Sequence, residues 1–178
     1  IIQADPALTS KVLKAANSPM YAIPSKIDTI QRALTVLGFN ALKNIALSFV
    51  IANELNADSD DSFDFDFFWK RSVTAAVSAE LITSLVGKKS DDIFVTGLLQ
   101  DIGVVIMYLS NPKDYLIVLE KKKHSELTAI ELEKKIFGFD HQEVGRRILE
   151  RWGLPENICL PIQYHHSFKK APENFRVK

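Results

Sequence analysis

Apolar residues recur along most of this chain at intervals of three or four positions. This spacing is typical of amphipathic helices, because residues three and four apart share one helix face. No stretch alternates between polar and apolar residues for long enough to predict a strand. The pattern therefore predicts an all-α fold, a multi-helix bundle with an N-terminal helical lobe. The predicted helices cover residues 6–16, 30–37, 41–52, 67–86, 93–109, 125–137, 141–152 and 155–166, and a further helix begins at Pro112.

An acidic stretch interrupts the apolar pattern. Residues 54–66 contain six acidic residues and no basic residue, together with Asn and Ser, which favour turns. We interpret residues 58–66 as an exposed acidic linker between a lobe of residues 1–57 and a helical core of residues 67–178, within a single domain. The alternative is that the acidic stretch docks a basic partner. The phenylalanines near its end are candidates for either the core or an interface: Phe63, Phe65, Phe67 and Phe68.

Two polar residues lie in the most apolar predicted helix. Residues 93–109 are almost uniformly apolar, but Gln100 and Asp101 fall at their centre. These 17 residues are fewer than the ~20 that a membrane-spanning helix needs, and a charge at the centre of a bilayer is expensive. The segment therefore predicts a buried helix of the core and no membrane segment.

Charge and cysteine content narrow the function classes. The chain has 178 residues, with 22 Lys and Arg against 22 Asp and Glu, so its formal net charge is zero. A nucleic-acid binder that relies on bulk attraction needs a basic surface, so we expect no nucleic-acid partner. Cys159 is the only cysteine, which excludes an intrachain disulfide and a cysteine-based zinc site. Its apolar neighbours predict a buried thiol that suits a reducing compartment, and we expect a cytoplasmic protein.

Asp101 and the four histidines are the candidate chemical groups. A buried carboxylate is costly unless it is satisfied, so Asp101 is either a metal ligand or acid–base group, or a partner in structural hydrogen bonds. His141 falls in the first turn of a helix, where the dipole favours the neutral form that a metal ligand needs. His165 and His166 fall at a helix C-terminus, where the dipole favours protonation. Adjacent helical residues point about 100° apart, so at most one of these two is expected to face a given site. His124 follows three lysines and predicts an exposed residue.

Six segments resemble, in the same order, the motifs of HDOD domains, the HD-related output domains of bacterial signalling proteins. They are residues 5–8 with 13–18 (DPAL and LKAANS), 30–38 (IQRALTVLG), 68–72 (FWKRS), 94–103 (FVTGLLQDIG), 137–141 (FGFDH) and the pair His165 and His166. The resemblance covers nearly the whole chain. It implies an HD-like helical core and a role in bacterial signal transduction.

The resemblance also implies where a metal site would lie. The HD superfamily, which includes the HD-GYP phosphodiesterases that hydrolyse cyclic di-GMP, builds its metal site from dispersed residues. They are a first His on the helix after the Trp, a His-Asp pair, and further histidines downstream, around metal ions that activate water against a phosphoester. In this chain the corresponding positions hold Arg71, Gln100, Asp101, His141, and His165 or His166.

The departures from this pattern argue against an intact two-metal site. The Arg71 guanidinium is always charged and cannot ligate a metal, and the Gln100 amide is a weak, neutral ligand. The Gly-Tyr-Pro element is replaced by SFKK at residues 167–170. We therefore expect a degenerate site without a metal or other cofactor, in which Arg71 and Asp101 form a buried ion pair. The ligands expected for any single ion are Asp101, His141, and His165 or His166.

Three functions are consistent with these residues. The first is a non-catalytic regulatory module that acts through protein–protein interaction and senses a ligand in the remnant pocket. Its expected partners are other signalling proteins, or domains of the same longer chain, since this sequence has no initiator Met and begins in mid-pattern. The alternative is a metal-dependent phosphohydrolase of the HD type acting on a nucleotide or cyclic dinucleotide, with Arg71 holding the substrate phosphate. The third is a pocket that binds an anionic nucleotide without hydrolysing it.

Overall fold

The computed structural model describes residues 6–17, 23, 25–56, 62–87 and 92–173. These residues form helices joined by turns and contain no strand, which confirms the all-α fold. The chain divides into two compact units, residues 1–58 and 59–178. The helices are α1 (Pro6–Ala16), α2 (Ile30–Asn56), α3 (Phe65–Leu85), α4 (Ile93–Leu99), α5 (Ile102–Ser110), α6 (Pro112–Lys123), α7 (Ala129–Phe137), α8 (His141–Arg151) and α9 (Glu156–Tyr164), followed by a 3₁₀ helix (Phe168–Lys170).

The first unit contains α1 and α2 around an apolar core. Its buried residues are Leu8, Val12, Ala16, Ile27, Ala33, Leu42, Ile45 and Ala46. Asn17 holds the chain after α1, because its side-chain oxygen accepts from the Ile27 N–H at 2.7 Å and its amide donates to the Ile27 carbonyl at 2.7 Å. The helix break predicted at Gly38 is a kink within α2, where the left-handed φ of 80° favours glycine.

The second unit begins with phenylalanines that the sequence assigned to the linker. α3 starts at Phe65 rather than at 67, and Asp64 caps it by accepting from a backbone N–H of the first turn at 2.8 Å. Phe63 and Phe65 are buried, and their ring centroids lie 4.8 and 5.9 Å from that of Tyr108. The expected exposure does not hold for these two residues, because each packs inward while Asp64 between them faces solvent. Residues 57–61 lie outside the described residues, and the linker there stays a prediction.

Two short helices, α4 and α5, replace the single helix predicted over 93–109. They are separated at Gln100 and Asp101. By length and composition the stretch Ile93–Ser110 could cross a membrane, but 61% of it is buried inside the protein, as in a core helix. The break places Asp101 in a turn between the two helices, with φ of −103° and ψ of 13°. Because Asp101 lies in this turn and not within a helix, its carboxylate can reach side chains from other elements.

Two glycines allow the helices beside Asp101 to approach closely. A Cβ at Gly103 on α5 would lie 2.0 Å from the backbone oxygen of His141, the first residue of α8. A Cβ at Gly97 on α4 would lie 2.9 Å from the Cα of Ala76 on α3. Neither position has room for a side chain, so glycine is required at both. The close contacts place the starts of α5 and α8 side by side.

The ends of α7, α8 and α9 are set by local signals. α7 starts four residues later than predicted, because Thr128 and Glu131 form a capping box. Gly138 ends α7 in the left-handed conformation that favours glycine, and the helix ends at Phe137 as predicted. Asp140 caps α8, whose start at His141 agrees with the predicted helix. α9 ends at Tyr164, so the histidine pair lies in the turn beyond the helix rather than within it.

Candidate functional site

The candidate site is a group of polar side chains around Asp101 in the second unit. Asp101 is only 7% exposed. A ligand atom of Asp101 and one from each of His141, His165 and His166 lie within 4.8 Å of one another. Arg71 reaches the same carboxylate from α3. The fold thus brings together residues from the α4–α5 turn, the start of α8 and the turn after α9.

The two oxygens of Asp101 face different partners. Oδ2 accepts a hydrogen bond from the Arg71 guanidinium at 2.8 Å, and the Gln100 amide nitrogen lies 3.4 Å from the same oxygen. Oδ1 lies 3.4 Å from Nε2 of His165 and 3.6 Å from Nε2 of His141. One oxygen is therefore already bound to a cation, while the other faces two imidazole nitrogens.

The hydrogen bonds of His141 identify its free nitrogen. Its Nδ1 lies 2.7 Å from Oε2 of Glu133, and a carboxylate of a buried Glu in contact with a ring nitrogen acts as the acceptor. Nδ1 therefore carries a proton, and the neutral ring has its lone pair on Nε2. His141 Nε2 has no hydrogen-bond partner although it is buried.

His165 follows the same arrangement. Its Nδ1 lies 2.7 Å from the carbonyl oxygen of Ile162, which can only accept, so Nδ1 donates. Its Nε2 is also buried without a hydrogen-bond partner. The rings of His165 and His166 have centroids 4.0 Å apart. The backbone N–H of His166 donates to the Gln142 side-chain oxygen at 3.2 Å, which ties the turn after α9 to α8.

Electrostatics within the site keep Asp101 ionised. Burial alone raises the pKa of a carboxyl group, but the polar contact with His165 and the charge of Arg71 outweigh it and lower the pKa of Asp101 to about 2. Burial lowers the pKa of His141, and the hydrogen bond and charge of Glu133 outweigh it, so that its pKa is raised. The pKa of His166 is lowered, first by burial and then by the neighbouring histidines. A negative carboxylate thus faces rings of differing basicity.

The donor set fits a single transition-metal ion. Two unpartnered, buried imidazole nitrogens directed at a carboxylate oxygen are unfavourable unless a proton or a cation lies between them. Imidazole nitrogens with one carboxylate oxygen suit ions such as Zn²⁺ or Fe²⁺. The hydrogen bonds at both Nδ1 atoms match the supporting interactions that metal-ligating histidines usually make. One ion could be held by Asp101, His141, His165 and His166. Arg71 and Gln100 add no comparable ligand.

Most of the predicted site residues come together. The Arg71–Asp101 ion pair is present, but the Arg71 side chain is 52% exposed, so the expected burial of the pair holds only for Asp101. The expectation that at most one of His165 and His166 faces the site is wrong, because both lie in a turn and not on a helix. His124 is exposed at the end of α6, as predicted.

Glu133 and Tyr115 also belong to the site, although no sequence motif singled them out. Glu133 is fully buried and accepts from the Tyr115 hydroxyl at 2.8 Å in addition to its bonds with His141. A signal was available in the sequence. Ala129 precedes Glu133 by four residues and Phe137 follows it by four, so this carboxylate falls on the apolar face of its helix. A charge on such a face requires partners.

Comparison with known proteins decides the family. The HDOD domain model matches residues 1–168. The chain belongs to the HDOD family. HDOD domains occur in signalling-associated proteins.

Solved structures agree with the HDOD fold. An HDOD domain protein from Geobacter sulfurreducens is 30% identical with a TM-score of 0.87, over 96% of this chain and 57% of that chain. A protein from Shewanella amazonensis, provisionally named a phosphohydrolase, is 22% identical with a TM-score of 0.80, over 96% of this chain and 60% of that one. A provisionally named signal transduction protein from Marinobacter aquaeolei is 22% identical with a TM-score of 0.77, over 97% of this chain and 39% of that chain. The last two similarities show the fold alone.

A curated relative is longer than this chain. An uncharacterized protein of Treponema pallidum is 24% identical over 178 residues, which are 99% of this HDOD chain and 34% of that protein. The chain therefore spans about a third of this relative and 57% of the Geobacter chain.

Proposed function

We propose that this HDOD domain is a regulatory module that binds a single metal ion at its remnant site and does not hydrolyse phosphoesters. The observation that carries the proposal is the bond between the Arg71 guanidinium and Asp101 Oδ2 at 2.8 Å. A carboxylate that bridges two metal ions commonly binds one ion through each of its oxygens. Arg71 holds one of them with a permanent positive charge.

The second half of a two-metal centre lacks its ligands. Arg71 and Gln100 occupy the positions where the HD pattern has histidines, and neither side chain is a good ligand. A guanidinium beside Asp101 also repels a second cation by Coulomb interaction at short range. Two-metal phosphoester hydrolysis requires ions that hold both the attacking and the leaving oxygen. The residues of this site provide ligands for at most one of these two ions.

A single ion would join three elements of the second unit. Asp101 precedes α5, His141 begins α8, and His165 and His166 follow α9. An ion held by these ligands supplies a cross-link between the elements, and it stabilises the folded unit by mass action. Ion occupancy could in this way control the conformation that a partner recognises.

We further propose that the partners are other signalling proteins or other domains of a longer protein, in a bacterial cytoplasm. Exposed apolar residues near the end of α3 support a contact surface of this kind. They are Leu81, Ile82, Leu85 and Val86. The neutral formal charge of the chain supports a protein partner over a nucleic acid.

A hydrolysis assay tests the non-catalytic function. The protein loaded with Zn²⁺, Mn²⁺ or Fe²⁺ is incubated with bis(p-nitrophenyl) phosphate and with cyclic di-GMP, beside the Asp101→Ala variant. We expect the two proteins to give the same background rate. Turnover by the parent chain that disappears in the variant would contradict the proposal.

The second candidate is a one-metal phosphohydrolase, favoured by the four ligand atoms within 4.8 Å of one another. Arg71 is half exposed, so its free N–H groups could bind a phosphate oxygen next to the ion. A Shewanella amazonensis protein provisionally named a metal-dependent phosphohydrolase shares the fold, with a TM-score of 0.68 at 21% identity. The same hydrolysis assay separates this function from the regulatory one.

A further inference from the structure

We propose that Glu133 and Tyr115 are positioning residues that hold His141 in the tautomer able to ligate the ion. The inference rests on the proposed single-ion site. Its basis is a chain of hydrogen bonds across three helices, from Tyr115 on α6 through Glu133 on α7 to His141 on α8. Neither Glu133 nor Tyr115 touches the ion position.

The carboxylate of Glu133 is fully buried and accepts from three donors. Oε1 accepts from the Tyr115 hydroxyl at 2.8 Å. Oε2 accepts from the His141 backbone N–H at 2.9 Å and from its Nδ1–H at 2.7 Å. Burial of a charge without such partners is strongly unfavourable, so the donors are needed for folding. A structural role alone, however, does not require that one donor be a ring nitrogen.

The ring contact determines what His141 presents to Asp101. With Nδ1–H bound to Glu133, the neutral ring directs the lone pair of Nε2 toward Asp101 Oδ1, 3.6 Å away. Without Glu133, the proton could move to Nε2, and the ring would then donate directly to Asp101. That internal hydrogen bond would satisfy both groups and remove one ligand from the ion. Glu133 therefore favours the Nδ1–H tautomer, which can bind the ion, over the Nε2–H tautomer, which hydrogen-bonds to Asp101.

His165 shows the same selection by a different group. The Ile162 carbonyl accepts from its Nδ1 at 2.7 Å, and its Nε2 also faces Asp101 Oδ1. Both histidines thus have their Nδ1 protons fixed from behind and their Nε2 atoms free toward one oxygen. Only the support for His141 is a side chain, so it is the one that substitution can change directly.

Zn²⁺ affinity provides the first test. The dissociation constant is measured by competition with a chromophoric chelator for the parent chain, Glu133→Gln and Tyr115→Phe. Loss of a supporting partner of a metal-ligating histidine typically weakens metal binding by about 10- to 100-fold. Glu133→Gln keeps one acceptor oxygen but removes the negative charge that holds the proton on Nδ1, so we expect a loss near the lower end of that range, about tenfold. Tyr115→Phe keeps the bond to the ring but leaves Glu133 Oε1 without its donor, so its expected loss is smaller, between about two- and fivefold.

Asp140→Asn is the matched control. Asp140 is a second buried carboxylate at the same α7–α8 corner, paired with Lys134 at 2.9 Å and bonded to a backbone N–H at 3.0 Å. Its change to Asn alters the net charge by the same amount as Glu133→Gln and keeps a good helix cap. We expect its Zn²⁺ affinity to stay close to that of the parent. An equal loss in both variants would mean that charge, and not the ring contact, sets the affinity.

The tautomer of His141 provides a readout that a merely structural role would not change. Nitrogen-15 NMR of the metal-free protein, at a pH where the ring is neutral, should place the proton on Nδ1 in the parent and move it toward Nε2 in Glu133→Gln. A folded Glu133→Gln variant with parental affinity and tautomer would overturn the inference. If that variant does not fold, a Tyr115→Phe variant with parental affinity and an unchanged His141 spectrum would overturn the inference that this chain of hydrogen bonds positions the ring. Failure of the parent to bind Zn²⁺ would instead contradict the single-ion site itself.

Discussion

The two sides of Asp101 hold the same carboxylate in opposite chemical settings. On the Oδ1 side, two buried imidazole nitrogens lie 3.4 and 3.6 Å away with no hydrogen-bond partner. On the Oδ2 side, the half-exposed Arg71 guanidinium is bound at 2.8 Å. The first side needs a proton or a cation to satisfy its lone pairs, whereas the Oδ2 side already holds the Arg71 cation. An incomplete set of metal ligands therefore does not mean an inert site, because each oxygen is governed by its own neighbours.

This difference favours one ion per chain. The Oδ1 side has support behind each ring, from Glu133 and from the Ile162 carbonyl. The Oδ2 side has only Arg71 and Gln100, which bring a charge and an amide in place of lone pairs on imidazole. Changes on the two sides should consequently affect metal binding in opposite directions.

The largest effect is expected from Gly103→Ala, which disturbs the Oδ1 side through the backbone. The added Cβ would lie 2.0 Å from the backbone oxygen of His141, so α5 and α8 must move apart. We expect a loss of about 3 kcal/mol in the free energy of unfolding, as for severe overpacking, and weaker Zn²⁺ binding. Chemical denaturation of the metal-free protein measures the first quantity, and chelator competition measures the second.

Gly145→Ala is the matched control for that change. It lies on α8 in the same contact region, and its Cβ would meet Ile162 and the Gly103 backbone nitrogen at ordinary distances of 3.4 and 3.5 Å. Alanine also favours a helix over glycine by about 1 kcal/mol. Stability should therefore be unchanged or slightly raised. If both variants lose stability equally, the close approach at Gly103 is not the cause.

A second prediction concerns pH, and it sharpens the role of the Oδ1 side. A metal ligand must be deprotonated, so protons compete with the ion. Because the pKa of His141 is raised, protons begin to compete with the ion at a higher pH than they would for an ordinary histidine. Asp101, with a pKa of about 2, stays ionised throughout. The Zn²⁺ affinity should fall as pH decreases through the raised pKa of His141, by about tenfold per pH unit for one proton. Titrations between pH 6 and 8.5 measure it, and a pH-independent affinity would contradict the arrangement.

Stability of the metal-free protein should show the opposite pH trend from this group. Because the folded-state pKa of His141 is raised above its unfolded value, protonation favours the folded state. That contribution is complete below the unfolded pKa and is lost as pH rises through the folded one. Denaturation curves of the parent and Glu133→Gln across this range should differ, since Glu133 supplies the hydrogen bond that raises the pKa.

The smallest effect is expected on the Oδ2 side. Arg71→Ala removes a positive charge next to Asp101 and should tighten Zn²⁺ binding by about threefold, a modest change because the guanidinium is half exposed and screened. Lys70→Ala, which removes an exposed charge one residue away, is the control and should leave the affinity unchanged.

Arg71→His extends this comparison to the number of ions. The new imidazole should not create a second metal site, because Gln100 still stands where the HD pattern has a histidine. Elemental analysis of the purified variant measures the stoichiometry. Two ions per chain in this single variant would show that the Oδ2 side is closed by Arg71 alone.

The fold class and most of the site follow from the sequence for identifiable reasons. Helical spacing predicts the all-α fold, and the order of the HDOD motifs groups Arg71, Asp101 and His141. Spacing could not predict that the apolar helix breaks at Asp101, since residues 93–109 read as one continuous run. The same limit hides the turn that brings both His165 and His166 to the site, because it depends on where α9 ends.

Glu133 illustrates what a linear pattern leaves out. Its place on an apolar helix face signals a buried charge, but its partners, Tyr115 and His141, lie 18 residues before and eight residues after it in the chain. Only the packing of α6, α7 and α8 brings the three together. A buried carboxylate can therefore be suspected from a single sequence, whereas the structure is needed to identify the histidine ring that it orients.

The metal content of the purified, tag-free protein tests the central claim most directly. Elemental mass spectrometry after loading with Zn²⁺ and desalting is compared between the parent chain and Asp101→Ala. The single-ion site predicts one ion per parent chain and none above background in the variant. Two ions per parent chain, or equal background in both proteins, would contradict it.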